Sequence, residues 1–288
     1  MKLYKNIGKF AASLTLLCLL ASSLWAQSAR AAVSPWHETE GGRMRLVSAG
    51  MQDGRLKAGL EIELDEGWKT YWKVPGDAGL PPSFNLSAST NAADIETLWP
   101  VPHRIKAGST EILGYKDAII FPFLITPQDR DMPVTLDLAA QVGLCAELCV
   151  PLYAELSLEI PANGSHDMGT ELLIDRDMAL VPTAPRRAFG ITDIEYAKAD
   201  SAEEGALDSL VISANIPDGY GNKDLFVEAP EGWFLPLTRH LEKGSDNQER
   251  FLLRLEGLPK GVKSEGAELT FTLTNGDEAV VEKRILKK

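Results

Sequence analysis

Val134-Thr-Leu-Asp-Leu-Ala-Ala-Gln-Val-Gly-Leu-Cys145-Ala-Glu-Leu-Cys149-Val-Pro-Leu-Tyr-Ala-Glu-Leu-Ser-Leu-Glu-Ile160 decides how this chain is read. Apolar residues alternate on the way in, from Val134 to Gln141, and again on the way out, from Tyr153 to Ile160, which is the pattern of two half-buried strands. Between them lie the only two cysteines outside the amino-terminal apolar segment, with three residues separating them. In an extended strand, positions four apart are separated by about 13 Å. A disulfide brings Cα atoms to about 4.4–6.8 Å, so a bond between Cys145 and Cys149 requires the chain to fold back. Ala146-Glu147-Leu148 is then the three-residue tip of a hairpin with a sulfur at each foot.

Such a bond has two uses. As a staple it closes a very small loop, worth about 2 kcal/mol in chain entropy against nearly 5 for a hundred-residue loop. At an exposed tip it is within reach of an attacking thiolate, which suits exchange. Both readings stay open on these residues alone. Zinc ranks below them, because two sulfurs are too few and the four histidines, His37, His103, His166 and His240, are scattered.

Working outward, the amino terminus has the build of a secretory signal. Lys2, Lys5 and Lys9 precede the apolar run Phe10 to Ala26, and Ala29-Arg30-Ala31 fits an Ala-x-Ala cleavage site. The alternative is a membrane anchor, but the run is short and no charged stop-transfer cluster follows. Cleavage after residue 31 lowers the basic count from 29 to 25 against 41 acidic residues, a net charge of −16. That argues against nucleic acid, which demands a basic face. Export to an oxidising compartment makes a formed disulfide the resting expectation.

Arg43 to Val47 and Leu56 to Leu64 read as strands joined at Asp53-Gly54. In Gly67-Trp68-Lys69-Thr70-Tyr71-Trp72-Lys73, Trp68, Thr70 and Trp72 share one strand face and Tyr71 points the other way. Ser83 to Leu86 and Ile95 to Trp99 are short extended pieces, and His103 to Glu111 reads as a polar loop. Tyr115 to Ile125 is an apolar run whose Pro122 suggests an edge or a bulge. Residues 162–187 read as a linker with one helix, capped at Asp167, with Leu172, Leu173, Met178 and Ala179 at near-helical spacing. Beyond it, Phe189–Tyr196, Ser209–Ile216, Leu225–Ala229, Arg250–Leu255, Glu268–Thr274 and Ala279–Leu286 are strand candidates, with a hairpin at Asn275-Gly276. The chain is therefore expected to be all-β: two immunoglobulin-like β-sandwiches joined by a short helical linker. The expected divisions are 1–31 signal peptide, 32–162 first sandwich, 163–187 linker and 188–288 second sandwich.

The ordered set Gly67-Trp68-Lys69-Thr70-Tyr71-Trp72-Lys73, Pro75-Gly76-Asp77-Ala78-Gly79, Trp99-Pro100-Val101-Pro102, Gly114-Tyr115, Phe121-Pro122 and Cys145-x-x-x-Cys149-Val150-Pro151 resembles the periplasmic amino-terminal domain of the DsbD family of thiol:disulfide interchange proteins, in its ScsB-like branch. The resemblance spans residues 36–162. It implies an immunoglobulin-like sandwich in the periplasm whose Cys145 and Cys149 form the redox-active pair, with Cys149 as the sulfur that bonds the partner. It also implies electron transfer from a DsbD- or CcdA-like membrane transporter and onward to thioredoxin-like periplasmic proteins, with no cofactor. Family members shield the site with an aromatic on a cap loop. The corresponding stretch here, His103 to Ser109, has no Phe, Tyr or Trp, which leaves Tyr71 and Tyr115 to take its place. Trp72, His103 and Glu147 complete the candidate lining. The sequence shows neither a multi-helix membrane domain nor a thioredoxin-like domain, so a single station in a relay is expected. The rival reading is an exported binding or assembly module with a structural disulfide. A copper-tolerance accessory role rests only on the ScsB likeness.

Overall fold

The computed structural model describes residues 32–76, 78–108, 110–162, 167–197, 209–219, 221–241, 243–244 and 248–287. The expected signal segment and His166 lie outside them. Two pairs of sheets and one helix make up the described residues, an all-β architecture as expected.

In the first unit, β1 (Ala32–Val33), β3 (Gly42–Gln52), β4 (Arg55–Leu64), β10 (Ala118–Pro127) and β7 (Ala92–Thr97) form one sheet in that order, with β2 (His37–Thr39) on β3. Facing it, β12 (Cys149–Ile160), β11 (Val134–Cys145), β5 (Lys69–Tyr71), β9 (Thr110–Lys116) and β8 (His103–Ala107) form the other, with β6 (Ser83–Asn85) also on β11. The period-2 alternation turns Met44, Leu46, Leu60, Ile62, Phe121 and Phe123 inward from one sheet. Trp72, Leu113, Tyr115, Leu136, Leu138 and Leu156 meet them from the other.

Two local expectations are corrected here. Pro122 lies on β10, between β4 and β7, and not on an edge. Its carbonyl accepts from Leu98 N at 2.8 Å, just past the last β7–β10 pair, Phe123↔Thr97. The N and C=O of one strand residue point the same way, so the missing N–H faces Leu98, just beyond the end of β7, where the ladder is already ending. The second correction concerns residues 103–111. His103–Ala107 is not a loop but strand β8, paired with β9 from His103↔Gly114 to Ala107↔Thr110. The polar appearance of the stretch comes from His103, Lys106, Thr110 and Glu111, which are exposed around buried Ile105.

Helix α1 (Met168–Met178) starts at Asp167, whose carboxylate accepts from Thr170 N at 2.8 Å, a cap worth about 1 kcal/mol. Its buried side is Ile174, packed with Met178 on Val47, Ala49 and Ile120. Leu172 and Leu173, expected to set the apolar face, are instead exposed at 66% and 37%. Asp177 is buried and accepts from Ile120 N at 2.6 Å, tying the helix to the outer face of the first sheet.

The second unit pairs β13 (Gly190–Ala197), β14 (Ser209–Asn215), β17 (Glu249–Arg254) and β16 (Arg239–His240) in one sheet. The other holds β15 (Lys223–Glu228), β18 (Glu268–Asn275) and β19 (Glu278–Ile285). Phe189, Leu210, Ile212, Leu225, Phe251 and Phe271 form its core. The β18–β19 hairpin falls where expected. Asn275 is its last paired residue, opposite Glu278, and Gly276 opens the two-residue loop at φ +64°.

Candidate functional site

Strands β11 and β12 pair without interruption from Val134↔Ile160 to Cys145↔Cys149. The two cysteines are disulfide-bonded with Cα atoms 4.1 Å apart. The tip is closed by Ala146 N donating to Leu148 O at 3.2 Å. On the other edge of β11, Cys145 pairs with Lys69 of β5. Thr70 Oγ1 donates to Gly143 O at 3.0 Å, and Lys69 Nζ donates to Ala146 O at 3.0 Å. This placement makes the two sulfur residues unequal. Cys145 sits on an interior strand and is 1% exposed, whereas Cys149 begins the edge strand and is exposed. Leu148 beside it is 81% exposed.

Tyr71 closes the inner side. Its hydroxyl donates to Cys145 Sγ at 2.7 Å and lies 3.1 Å from Cys149 Sγ. Sulfurs in a disulfide carry no proton, so the phenol is the only donor of the three. The ring packs with Ile105, Ile112 and Cys145 in a small cluster. Two glycines make room for it. A Cβ on Gly79 would fall 2.8 Å from the ring, and one on Gly143 would fall 3.0 Å from it. Burial pushes the phenol pKa up, so Tyr71 remains a neutral O–H donor at ordinary pH.

Residues 42–161 match the family model described as thiol:disulfide interchange protein DsbD, N-terminal. This segment is a DsbD N-terminal-like domain. The crystal structure of the N-terminal periplasmic domain of ScsB from Proteus mirabilis is similar over 90% of this chain and 100% of that one, with a TM-score of 0.68 at 20% identity. The shared fold therefore runs on into the second unit. No curated protein matches the chain in sequence.

Within the DsbD N-terminal-like domain, the structure brings Tyr71 to Cys145 and Cys149 and sets Glu147 at the exposed hairpin tip. Trp72 follows Tyr71 in the chain and so faces the opposite way, into the sandwich core, 5.9 Å from the Phe226 ring. Tyr115 also lies in that core, its hydroxyl donating to Pro100 O at 2.7 Å and its ring edge-on to Phe121. Burial pushes its pKa well up, and the nearby Asp177 charge adds to the effect. Neither Trp72 nor Tyr115 lines the disulfide, because strand alternation commits both to the inner face. His103 is exposed on the edge strand β8.

Ile105, Ile112, Gly79, Gly143 and Lys69 are site neighbours not singled out beforehand. The alternation Arg104-Ile105-Lys106 was the available signal for Ile105. In place of a cap loop, strand β8 with its partner β9 lies against Tyr71 and Cys145, with Ile105 and Ile112 for walls. Among the described residues, no group of three or more His, Cys, Asp or Glu is placed to hold a metal ion. A cleft of about 1100 Å³ lies between the units, lined by Arg104, Lys106, Asp224, Leu237, Arg239 and Arg254 among others, and it contains neither sulfur.

Proposed function

We propose that the chain carries reducing equivalents in the periplasm by cycling Cys145 and Cys149 between disulfide and dithiol. It would receive them from a DsbD- or CcdA-like membrane transporter and pass them to oxidised thioredoxin-like proteins. The observation that carries this reading is the inequality of the bonded pair: an accessible Cys149, and a buried Cys145 with a neutral O–H donor 2.7 Å from its sulfur.

In the first half-cycle, a thiolate of the reduced donor attacks Cys149 Sγ. The S–S bond breaks, a mixed disulfide forms, and the bonding pair leaves on Cys145 Sγ as a thiolate. The Tyr71 O–H already points at that atom, so its hydrogen bond strengthens as charge develops. The donor's second thiol then attacks the mixed disulfide and releases Cys149. Two electrons and two protons have moved, and the donor leaves as a disulfide. The second half-cycle is the reverse. The Cys149 thiolate attacks the acceptor's disulfide, and Cys145 displaces it. Lys69 places a cation on the hairpin carbonyl of Ala146, where it favours negative charge at the tip. The likeness to a periplasmic domain supports the compartment.

Trapping tests the proposal. In Cys145→Ala, the remaining Cys149 is expected to hold a thioredoxin-like protein as a mixed disulfide, because the residue that resolves it is gone. Absence of any such adduct from both Cys145→Ala and Cys149→Ala in a periplasmic extract would overturn the relay reading.

A further inference from the structure

Strand β15 of the second unit has two faces. Leu225 and Val227 point into their own core. The alternate residues Asp224, Phe226 and Glu228 point at the first unit, and each has a partner there. Phe226 is 3% exposed, belongs to the first unit's core and packs on Trp72. Glu228 pairs with Lys73 Nζ at 2.8 Å. Asp224 takes a two-point grip on Arg104, from Nε at 2.8 Å and Nη2 at 2.7 Å. Arg104 also donates to Thr238 O at 3.1 Å.

The partners are notable for their chain neighbours. Trp72 follows Tyr71, and Arg104 precedes Ile105. Adjacent strand residues point to opposite faces, so holding Trp72 fixes the backbone that aims Tyr71. Holding Arg104 likewise fixes the backbone that presents Ile105. Tyr71 and Ile105 are two of the side chains that enclose Cys145. One face of a single strand thus grips, from behind, both elements that wall the buried sulfur.

We infer that the second unit is a brace for the disulfide, with Phe226 and Asp224 as positioning residues that act through Tyr71 and Ile105. This deepens the exchange reading and rests on it only for its biological meaning. The effect itself is a property of the Cys145–Cys149 bond. A bidentate guanidinium–carboxylate pair supplies directional hold, and the tilted Trp72–Phe226 contact supplies packing. Without them, the Tyr71 hydroxyl is free to drift from the sulfur that leaves as a thiolate.

The test uses the full chain and dithiothreitol as the reductant, which needs no protein partner. Phe226→Ala is expected to slow reduction of the disulfide about fivefold, part of what one charge-assisted hydrogen bond contributes. Asp224→Asn keeps the side-chain shape and removes the charge, and a threefold slowing is expected. Tyr71→Phe combined with Phe226→Ala should be no slower than Tyr71→Phe alone, because both changes remove the same interaction. Leu253→Ala weakens the second core away from the junction and should lower the melting temperature with the reduction rate unchanged. The inference is overturned if Asp224→Asn, folded by circular dichroism, is reduced at the original rate. Additive effects of Tyr71→Phe and Phe226→Ala overturn it too. Failure of partner trapping with these rate effects intact would sink the relay and leave the brace standing.

Discussion

Two of the hairpins marked by short local signals, β18–β19 and β11–β12, close in different ways. β18–β19 turns through Gly276-Asp277, and Gly276 takes φ +64°, which costs a glycine little. β11–β12 turns through Ala146-Glu147-Leu148, with no residue of the tip at positive φ among the described residues, and is bridged at its feet by a disulfide. The first turn is closed by backbone chemistry and is inert. The second is closed by a bond that another thiol can exchange. A three-residue loop gains about 2 kcal/mol from its bridge, so the bond adds little that a glycine turn could not supply more simply. On the proposed reading, this small disulfide on a well-paired hairpin serves reactivity more than stability.

That comparison can be broken most severely at the sulfurs. Cys149→Ala is expected to abolish exchange with an oxidised thioredoxin-like protein, at least a thousandfold, while lowering stability by only about 2 kcal/mol. Activity assay and denaturant melting on one sample measure both. A stability loss of 5 kcal/mol or more would move the β11–β12 bridge into the structural class. A reduction potential below about −300 mV would argue the same way.

A smaller effect separates the two hairpins by their neighbours. Tyr71→Phe keeps the ring that Ile105 and Ile112 pack against and removes the O–H aimed at Cys145. Exchange is expected to slow about tenfold, the size of one hydrogen bond to a charged group. The melting temperature should change little. Equal rates for Tyr71→Phe and the unaltered chain would remove the phenol from the mechanism.

At the inert hairpin the expectation reverses. Gly276→Ala places a Cβ at positive φ and 3.1 Å from Gly221 Cα. It should cost about 1–2 kcal/mol, read by thermal melting, with exchange unchanged. A fall in exchange without unfolding would show that the two hairpins are more tightly coupled than their separation suggests.

The smallest effect is on pH dependence. Burial works to raise the Glu249 pKa, but hydrogen bonds from Lys223, His240 and Lys243 outweigh it, and the carboxyl ends below its ordinary value. A depressed folded pKa contributes stability that is present above the unfolded pKa, about 4.3. That contribution is lost as pH falls through the folded value. Acid melting should therefore be shallower below pH 4.3 in Glu249→Gln than in the unaltered chain. The exchange rate at neutral pH should be the same in both. Tyr71 and Tyr115, both raised, work at the other end. Their contribution is full below pH 10 and is lost as pH rises further.

Much of the scaffold was legible before any coordinates. The alternation from Val134 to Ile160 around two close cysteines specified the hairpin down to its tip, because strand period and disulfide reach are local quantities. The β8–β9 hairpin was not legible as a pair of strands. Ile105 is the one fully buried side chain of β8, and the exposed charges of Lys106 and Glu111 around it mimic a loop. Helix α1 was placed well, but its buried face was not. Leu172 and Leu173 are the apolar choice by composition, yet the sheet presents Val47, Ala49 and Ile120 where Ile174 falls.

From the chain of letters alone came the paired sulfurs, the turn between them, the opposite facing of Tyr71 and Trp72, and an all-β design. Each depends on residues a few positions apart, where geometry is nearly dictated by the strand repeat. Which cysteine meets solvent, which aromatic touches the bond, and what β15 grips were decided by the tertiary structure. They turn on which strand lies along the second edge of β11, and on contacts between residues as far apart as Arg104 and Asp224. No local pattern encodes such pairings, because they follow from how whole sheets stack once their apolar faces are buried.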